Sequence, residues 1–440
     1  MAMRNILITL NLLMLSLNVT ASQAVSDLPH HDDLIPATTR AYLEQTVNLA
    51  LAHSPEVKIA DAGSRAAQFD IDQVKGQQWP QVQLGTTAPM ASFGGGSTPG
   101  QRRLGDSSLS VNVSTTLFDW GKNRESINGT TEQAAASQYQ YDYTRQEIAH
   151  NTISALIDYS RYKQNQCITM RYVDRMRELV DMLKEITKTD AGRYSELVQA
   201  RAKLLAAETS MQKVKEQLRQ SEITLFRLTG KTVILPEKFD WRMRAIPSSL
   251  VMSRLASHPS LLKAQAEARA AEHQVAAVKA GSLPQINWVV SKNTAKDSYG
   301  NDEQWYTGLN VQWNVFSGGS DRATILASTA RALASKSQYT QSQMDMMYQI
   351  QNLLQSRDSA EIQAREYKKL SKETDEVSKI YYEQWLRLGK RTLLDVLTAE
   401  NDRFNNHIAA VNTEHDVYSN NIKLIASANM LFEWLNIRSH

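Results

Sequence analysis

The chain has 440 residues, 22% charged and 42% hydrophobic, a balance that suits an ordered protein and argues against wholesale disorder. A mean hydropathy of -0.43 excludes a bundle of transmembrane helices, which needs repeated apolar runs of about 20 residues. The net charge of +3 is too small to imply a nucleic-acid partner, and a single cysteine, Cys167, excludes an intrachain disulfide or a cysteine metal cage. Glycine (18) and proline (10) are scarce against the roughly 31 and 22 of average usage, so long helices are expected.

Residues 1–24 read as an export signal. Arg4 supplies the positive start, Ile6 to Val19 the apolar run and Ala21, Ser22 and Ala24 the small residues; cleavage after Ala24 and after Ala21 both fit. No cysteine follows, so a lipoprotein-type anchor is not expected. Residues 25–39, with His30-His31-Asp32-Asp33, read as a flexible polar leader rather than a metal site.

The rest is a duplication. Pro55, Arg65, Ala66, Ala67, Lys75, Pro80 and Gln81 recur 204 positions on as Pro259, Arg269, Ala270, Ala271, Lys279, Pro284 and Gln285. Phe118, Gly121, Arg124 and Ile127 then match Phe316, Gly319, Arg322 and Ile325 at an offset of 198. The jump falls where the first copy carries the loop-forming stretch Phe93–Gly100. The first repeat is assigned to 40–230, with strands near 81–92 and 107–118, a long helix near 121–188 and a return helix near 195–230. A linker, 231–257, holds Pro236 and Pro247. The second repeat, 258–435, has strands near 285–296 and 305–316, a long helix near 319–387 and a return helix near 392–434, before a tail, 436–440.

Leu109 to Leu117 and Leu309 to Val315 alternate apolar and polar residues, which sets one face in an apolar medium and the other in water. Each strand is near the 9 to 11 residues that span a bilayer when tilted. Trp79, Trp120, Trp288, Trp305 and Trp313 sit in or beside the strands, as an interfacial girdle requires. Four strands cannot close a membrane barrel, and an open edge in lipid is forbidden, so spanning strands require an oligomer. The long helices contain no proline and at 1.5 Å per residue would each run roughly 100 Å. Val173, Met176, Val180 and Leu183 step like a coiled-coil seam.

At Pro80-Gln81-Val82 and Pro284-Gln285-Ile286, at Leu117-Phe118-Asp119-Trp120-Gly121 and Val315-Phe316-Ser317-Gly318-Gly319, and at the segments from Gly192 to Ala200 and Gly389 to Leu397, the sequence resembles the TolC family of bacterial outer membrane channel proteins. The last two segments look most like members serving type I secretion. The resemblance implies a mainly α protein with membrane β: a homotrimer whose chains each give four strands to one twelve-stranded outer membrane β-barrel. A long periplasmic α-helical barrel would continue it. It also implies a periplasmic adaptor (membrane fusion) protein, an inner-membrane ABC transporter, contact with outer membrane lipid and a secreted polypeptide substrate such as a large adhesin or toxin. Small-molecule efflux is the alternative, and a soluble periplasmic coiled-coil scaffold a third reading.

The resemblance further implies site residues. Asp395 matches one acidic position of a ring that narrows the periplasmic mouth; the second is Thr398 here, and the first-copy counterpart is Glu196 if the first turn is two residues shorter, or Val198 without that gap. Asp395 also completes a Thr392-x-x-acid capping box, and the two roles are compatible. Arg391 matches a basic residue that holds the mouth shut, with Glu196 or Asp190 as its chemically suited partner. The family's neighbouring tyrosine is Leu386, with Tyr382 nearby, so that network does not transfer in full. The tips, Gly192, Arg193, Tyr194 and Ser195 with Gly389, Lys390 and Thr392, are the expected adaptor-docking surface. No P-loop, H-E-x-x-H or G-x-S-x-G motif occurs; neither catalysis, nor a metal, nor a cofactor is expected.

Overall fold

The computed structural model describes residues 36–88, 107–236, 239–295 and 303–437. The expected signal peptide, most of the leader and the loop Phe93–Gly100 lie outside the described residues. Pro36 caps helix α1 (Ala37–His53), so helix begins inside the segment expected to be leader. Ser54 and Pro55 break the chain into α2 (Pro55–Gly76), since proline at a helix start lacks only an N–H that would be unpaired anyway. Strands β1 (Gln81–Thr87) and β2 (Ser108–Phe118) lead into α3 (Lys122–Thr189), a short 3₁₀ turn (Ala191–Arg193) and α4 (Tyr194–Thr229). The second repeat has a short α5 (Ser248–Arg254), then α6 (Pro259–Gly281), β3 (Gln285–Asn293), β4 (Tyr306–Gln312), α7 (Ser320–Leu388) and α8 (Leu393–Ser427), with a final turn of helix, α9 (Leu431–Leu435). Among the described residues no helix is long and apolar enough to cross a membrane.

The four strands form one antiparallel sheet in chain order, with β1 and β4 at its edges. β4 is shorter than the alternating pattern suggests. Gln312 already pairs with Gln285, the first residue of β3, so Trp313 to Val315 have no partner strand in their own chain.

Strand passes to helix by the same device in both repeats. Trp120 and Gly121 adopt φ of 59° and 85°, and Gly318 and Gly319 adopt 64° and 87°. The left-handed conformation suits glycine but crowds a Cβ. Trp120 is held there by its indole N–H, which donates to Pro284 O at 2.8 Å. Asp119 caps the new helix by accepting from Asn123 N at 2.7 Å. Its counterpart Ser317 accepts from Asp321 N at 3.3 Å.

Two large, separate apolar cores hold the helices, with two small clusters around Val57 and Ile71 seating α2 on α3. The larger sits midway along the bundle and joins Leu43 and Val47 of α1, Ile153 and Leu156 of α3, Leu225 of α4, Ile425 of α8 and Trp434 of α9. The linker straps this level. Thr39 Oγ1 donates to Asp240 O (2.9 Å), Trp241 Nε1 to Ser160 Oγ (3.0 Å), and Arg357 Nη1 to Ile246 O (2.8 Å). The second core lies at the far tip, where Val173, Met176, Val180 and Leu183 of α3 meet Leu197 of α4, Trp385 of α7 and Leu393, Val396 and Leu397 of α8. The seam of α3 is thus buried against both hairpins. By contrast α7 buries few side chains within its own chain and leaves Leu326, Leu333, Met344 and Tyr348 exposed.

Candidate channel surfaces

The register of the sheet sorts its side chains by chemistry. Val82, Leu84 and Thr86 pair with Val113, Val111 and Leu109; Val113 pairs onward with Val290; and Trp288 and Ile286 pair with Leu309 and Val311. Because alternate residues share a face, these form one apolar surface. The other face carries Gln81, Gln83, Ser110, Asn112, Ser114, Asn287, Ser291, Asn310 and Gln312, joined by the apolar Val289. Lys292 is the one cation on the described apolar face. It lies near the end away from the helices, and its ammonium donates to Glu303 O, as a snorkelling lysine does.

The five tryptophans are all exposed, from 39% for Trp288 to 72% for Trp79. Trp79, Trp120 and Trp313 flank strand ends on the helix side, Trp288 lies within β3 close to that side, and Trp305 precedes β4 at the opposite end. Trp288 Nε1 donates to Thr307 Oγ1 at 3.0 Å.

At the tip, Gly389 takes the left-handed conformation (φ 59°) that ends α7. Gly192 does not: the first hairpin reverses at Asp190, whose Oδ1 accepts from Gly192 N at 3.0 Å. Lys390, Tyr194 and Ser195 are exposed on the two turns. Thr392 and Asp395 form a reciprocal capping box. Asp395 N donates to Thr392 Oγ1 at 3.2 Å and Thr392 N to Asp395 Oδ2 at 3.0 Å. The Thr392 backbone and hydroxyl donors, with nearby Arg391, hold the Asp395 carboxyl below its usual range. Thr398 is exposed one turn on.

The contacts expected of Arg391 are differently distributed within the chain. Arg391 Nε donates to Gln384 Oε1 (3.2 Å) and its guanidinium lies over Tyr381 at 4.1 Å, so it meets neither Glu196 nor Asp190 of its own chain. Glu196 is taken by Arg193 at 2.7 Å, and Arg193 also lies over the Trp385 ring at 5.5 Å. Arg193 is therefore the tip arginine that ties the first hairpin to the second. Tyr382 lies beneath Arg175 at 3.9 Å. Sequence reasoning missed the polar network above the tip, where Glu400 meets Arg175 (2.9 Å) and Arg403 (3.5 Å), and Asp375 meets Arg403 (2.6 Å) and His407 (2.9 Å). Its signal was present: Glu400 continues the apolar stripe Leu393, Val396, Leu397 at helical spacing. Among the described residues no cluster of three or more side chains could hold a metal ion.

A sheet apolar on one face and wet on the other, with two unpaired edges and a pair of hairpins built on 68- and 69-residue helices, defines a membrane channel built from several chains and continued by a helical tunnel. The chain belongs to the outer membrane efflux protein family, whose model matches residues 46–231 and 250–429, one stretch per repeat. It is 23% identical over 399 residues to the outer membrane efflux protein BepC of Brucella suis, covering 86% of this chain and 84% of that one. In fold it is similar to the CmeC outer membrane channel of Campylobacter jejuni (TM-score 0.76, 18% identity, 88% and 86% of the two chains). VceC of Vibrio cholerae is similarly close (TM-score 0.75, 19% identity, 88% and 95%). The protein is thus a TolC-like outer membrane channel: three chains close one twelve-stranded barrel, and most of each chain forms a periplasmic helical barrel. Channels of this family are homotrimers that work with an adaptor and an inner-membrane transporter, and they are not enzymes.

Proposed function

We propose that this chain is the passive outer membrane exit duct of a type I secretion system, passing a polypeptide from an inner-membrane ABC transporter and its adaptor to the cell exterior. The two-faced sheet carries the duct part of the reading. Its amide and hydroxyl face offers the cargo a wetted bore, while its apolar face meets lipid, with the tryptophans near its ends as interfacial anchors. Asp395 serves both as helix cap and, three times over, as a carboxylate ring at the mouth, with Glu196 and Thr398 beside it. The tip turns around Gly192 and Gly389 receive the adaptor. The polypeptide cargo is supported by the likeness of the tip segments, Gly192 to Ala200 and Gly389 to Leu397, to members that serve type I secretion. Energy comes from the partner.

A second reading, small-molecule efflux, is favoured by the name of the relative from Brucella suis. Deleting the gene and comparing the culture supernatant with sensitivity to dyes, bile salts and antibiotics separates the two. Loss of one or a few large proteins from the medium, restored by the wild-type gene, supports secretion. An unchanged supernatant with heightened sensitivity overturns it in favour of efflux.

A further inference from the structure

We propose that Glu400, held between Arg175 and Arg403, is the positioning residue that fixes the rotation of the first two turns of α8 about the helix axis, and with it the direction in which Asp395 and Thr398 project. The consequence for the mouth rests on the duct reading above.

In the first two turns of α8, Leu393, Val396, Leu397 and Glu400 are buried and form one stripe. Asp395 and Thr398 lie about 150° to either side of its centre, at 3.6 residues per turn. Three of the four stripe residues are aliphatic, and burial of aliphatic surface is non-directional, so those contacts alone tolerate a turn of the helix about its axis. Glu400 does not. It is 3% exposed, and a carboxylate at that depth must be paired.

The partners leave it one place. Arg175 reaches Glu400 from α3 through Nε at 2.9 Å, while its Nη1 is bonded to Glu178 (3.2 Å) and its guanidinium rests on the Tyr382 ring. Arg403, on α8 itself, is held by Nε to Asp375 of α7 at 2.6 Å, and Asp375 also meets His407 Nε2 at 2.9 Å. Both guanidinium groups that meet Glu400 are thus anchored at a second point, on α3 and on α7. A one-residue rotation of α8, about 100°, would withdraw Glu400 from Arg175 and turn another side chain into the seam. Buried ion pairs are poor sources of net stability, and their best-attested use is to specify register. The network therefore orients α8 more than it stabilises it.

The test uses the full-length trimer in detergent, with Cys167→Ser and one reporter, Thr398→Cys or Val396→Cys, probed by maleimide labelling. Ala399→Cys, also at a buried position, replaces Val396→Cys should that variant fail to assemble. Position 398 is expected to label at least tenfold faster than the buried reporter. In Arg175→Leu/Glu400→Leu the ratio is expected to collapse at least fivefold while the melting temperature stays level or rises. Glu400→Gln, which keeps an acceptor of the same length, retains the ratio. The proposal is overturned if the double leucine variant keeps the wild-type ratio, or if the ratio falls only together with the melting temperature. Cation selectivity of the same trimers in planar bilayers separates the two layers. A collapsed ratio with selectivity unchanged, in both this variant and Asp395→Asn, upholds Glu400 as the key and removes Asp395 from the mouth.

Discussion

Ser54 and His258 occupy the same position in the two repeats, 204 residues apart, and each caps the helix that begins at the following proline. Ser54 Oγ accepts from Val57 N at 3.2 Å, and His258 Nδ1 accepts from Ser260 N at 3.3 Å. The imidazole can accept at Nδ1 only while neutral, with its proton on Nε2. Burial pushes its pKa from the usual 6.5 down to about 4. The folded form is thus neutral where the unfolded chain takes up a proton, so this contribution is complete above pH 6.5 and lost as pH falls toward about 4. Thermal melts of the trimer between pH 7 and pH 4 are expected to show a decline that is shallower in His258→Ser. The residual slope is expected to come in part from His150 and His415, whose pKa values burial also lowers.

Val113 and Ser114 are sequence neighbours on opposite faces of β2. An arginine on the lipid face at mid-bilayer costs about 2–4 kcal/mol per chain, and the trimer incurs it three times. Val113→Arg is expected to abolish the trimer band on semi-native gels. Ser114→Arg is expected to preserve the trimer and lower its single-channel conductance by crowding the bore.

Leu397 is fully buried at the tip beside Trp385. Leu397→Ala is expected to remove about 2–5 kcal/mol from that core, leaving the mid-bundle core around Trp434 untouched because the two are separate clusters. Limited trypsin digestion should read this directly, with cleavage at Lys390 and Arg391 accelerated and no new cleavage near the linker.

Thr392→Ala removes one half of the capping box and is expected to cost about 1 kcal/mol. Hydrogen exchange of the amides in the first turn of α8 should quicken several-fold. Arg391→Ala, which loses Gln384, the face of Tyr381 and a positive charge near Asp395 in its own chain, is expected to cost about 0.5–1 kcal/mol. It is also expected to quicken that exchange less than Thr392→Ala does, since it leaves both hydrogen bonds of the capping box in place. Arg193→Ala, which releases Glu196 and Trp385 together, is expected to loosen the tip more.

The strands, the long helices and the duplication could be read from sequence because each leaves a periodic trace: alternation over Leu309 to Val315, and a seam through Val173, Met176, Val180 and Leu183. Where an element stops was less legible, because a strand ends where its partner ends. Trp313 to Val315 continue the alternation but lie beyond Gln285. The break at Ser54 is marked in sequence by Pro55 at the first position of α2, and the start of α1 by Pro36, which stands inside the segment read as leader. At the tip, chemistry alone leaves the pairing within the chain open. Arg193 and Arg391 are equally plausible partners for Glu196 on chemistry alone. The choice follows from Arg193 standing three residues before Glu196 on the same turn, with Trp385 beside it.

The two unpaired edges of the sheet, β1 and β4, also have a genetic consequence. In a closed ring of three, β4 of one chain must meet β1 of the next, so every chain is needed twice, once at each seam. A copy carrying a proline in β4 but an intact β1 still docks on one side and spoils the ring it joins. Expressed in equal amount with the normal chain, it leaves about one trimer in eight free of the defect. Such an allele behaves as a dominant poison in a merodiploid, whereas a chain truncated before Gln81 has no edge to offer and is recessive.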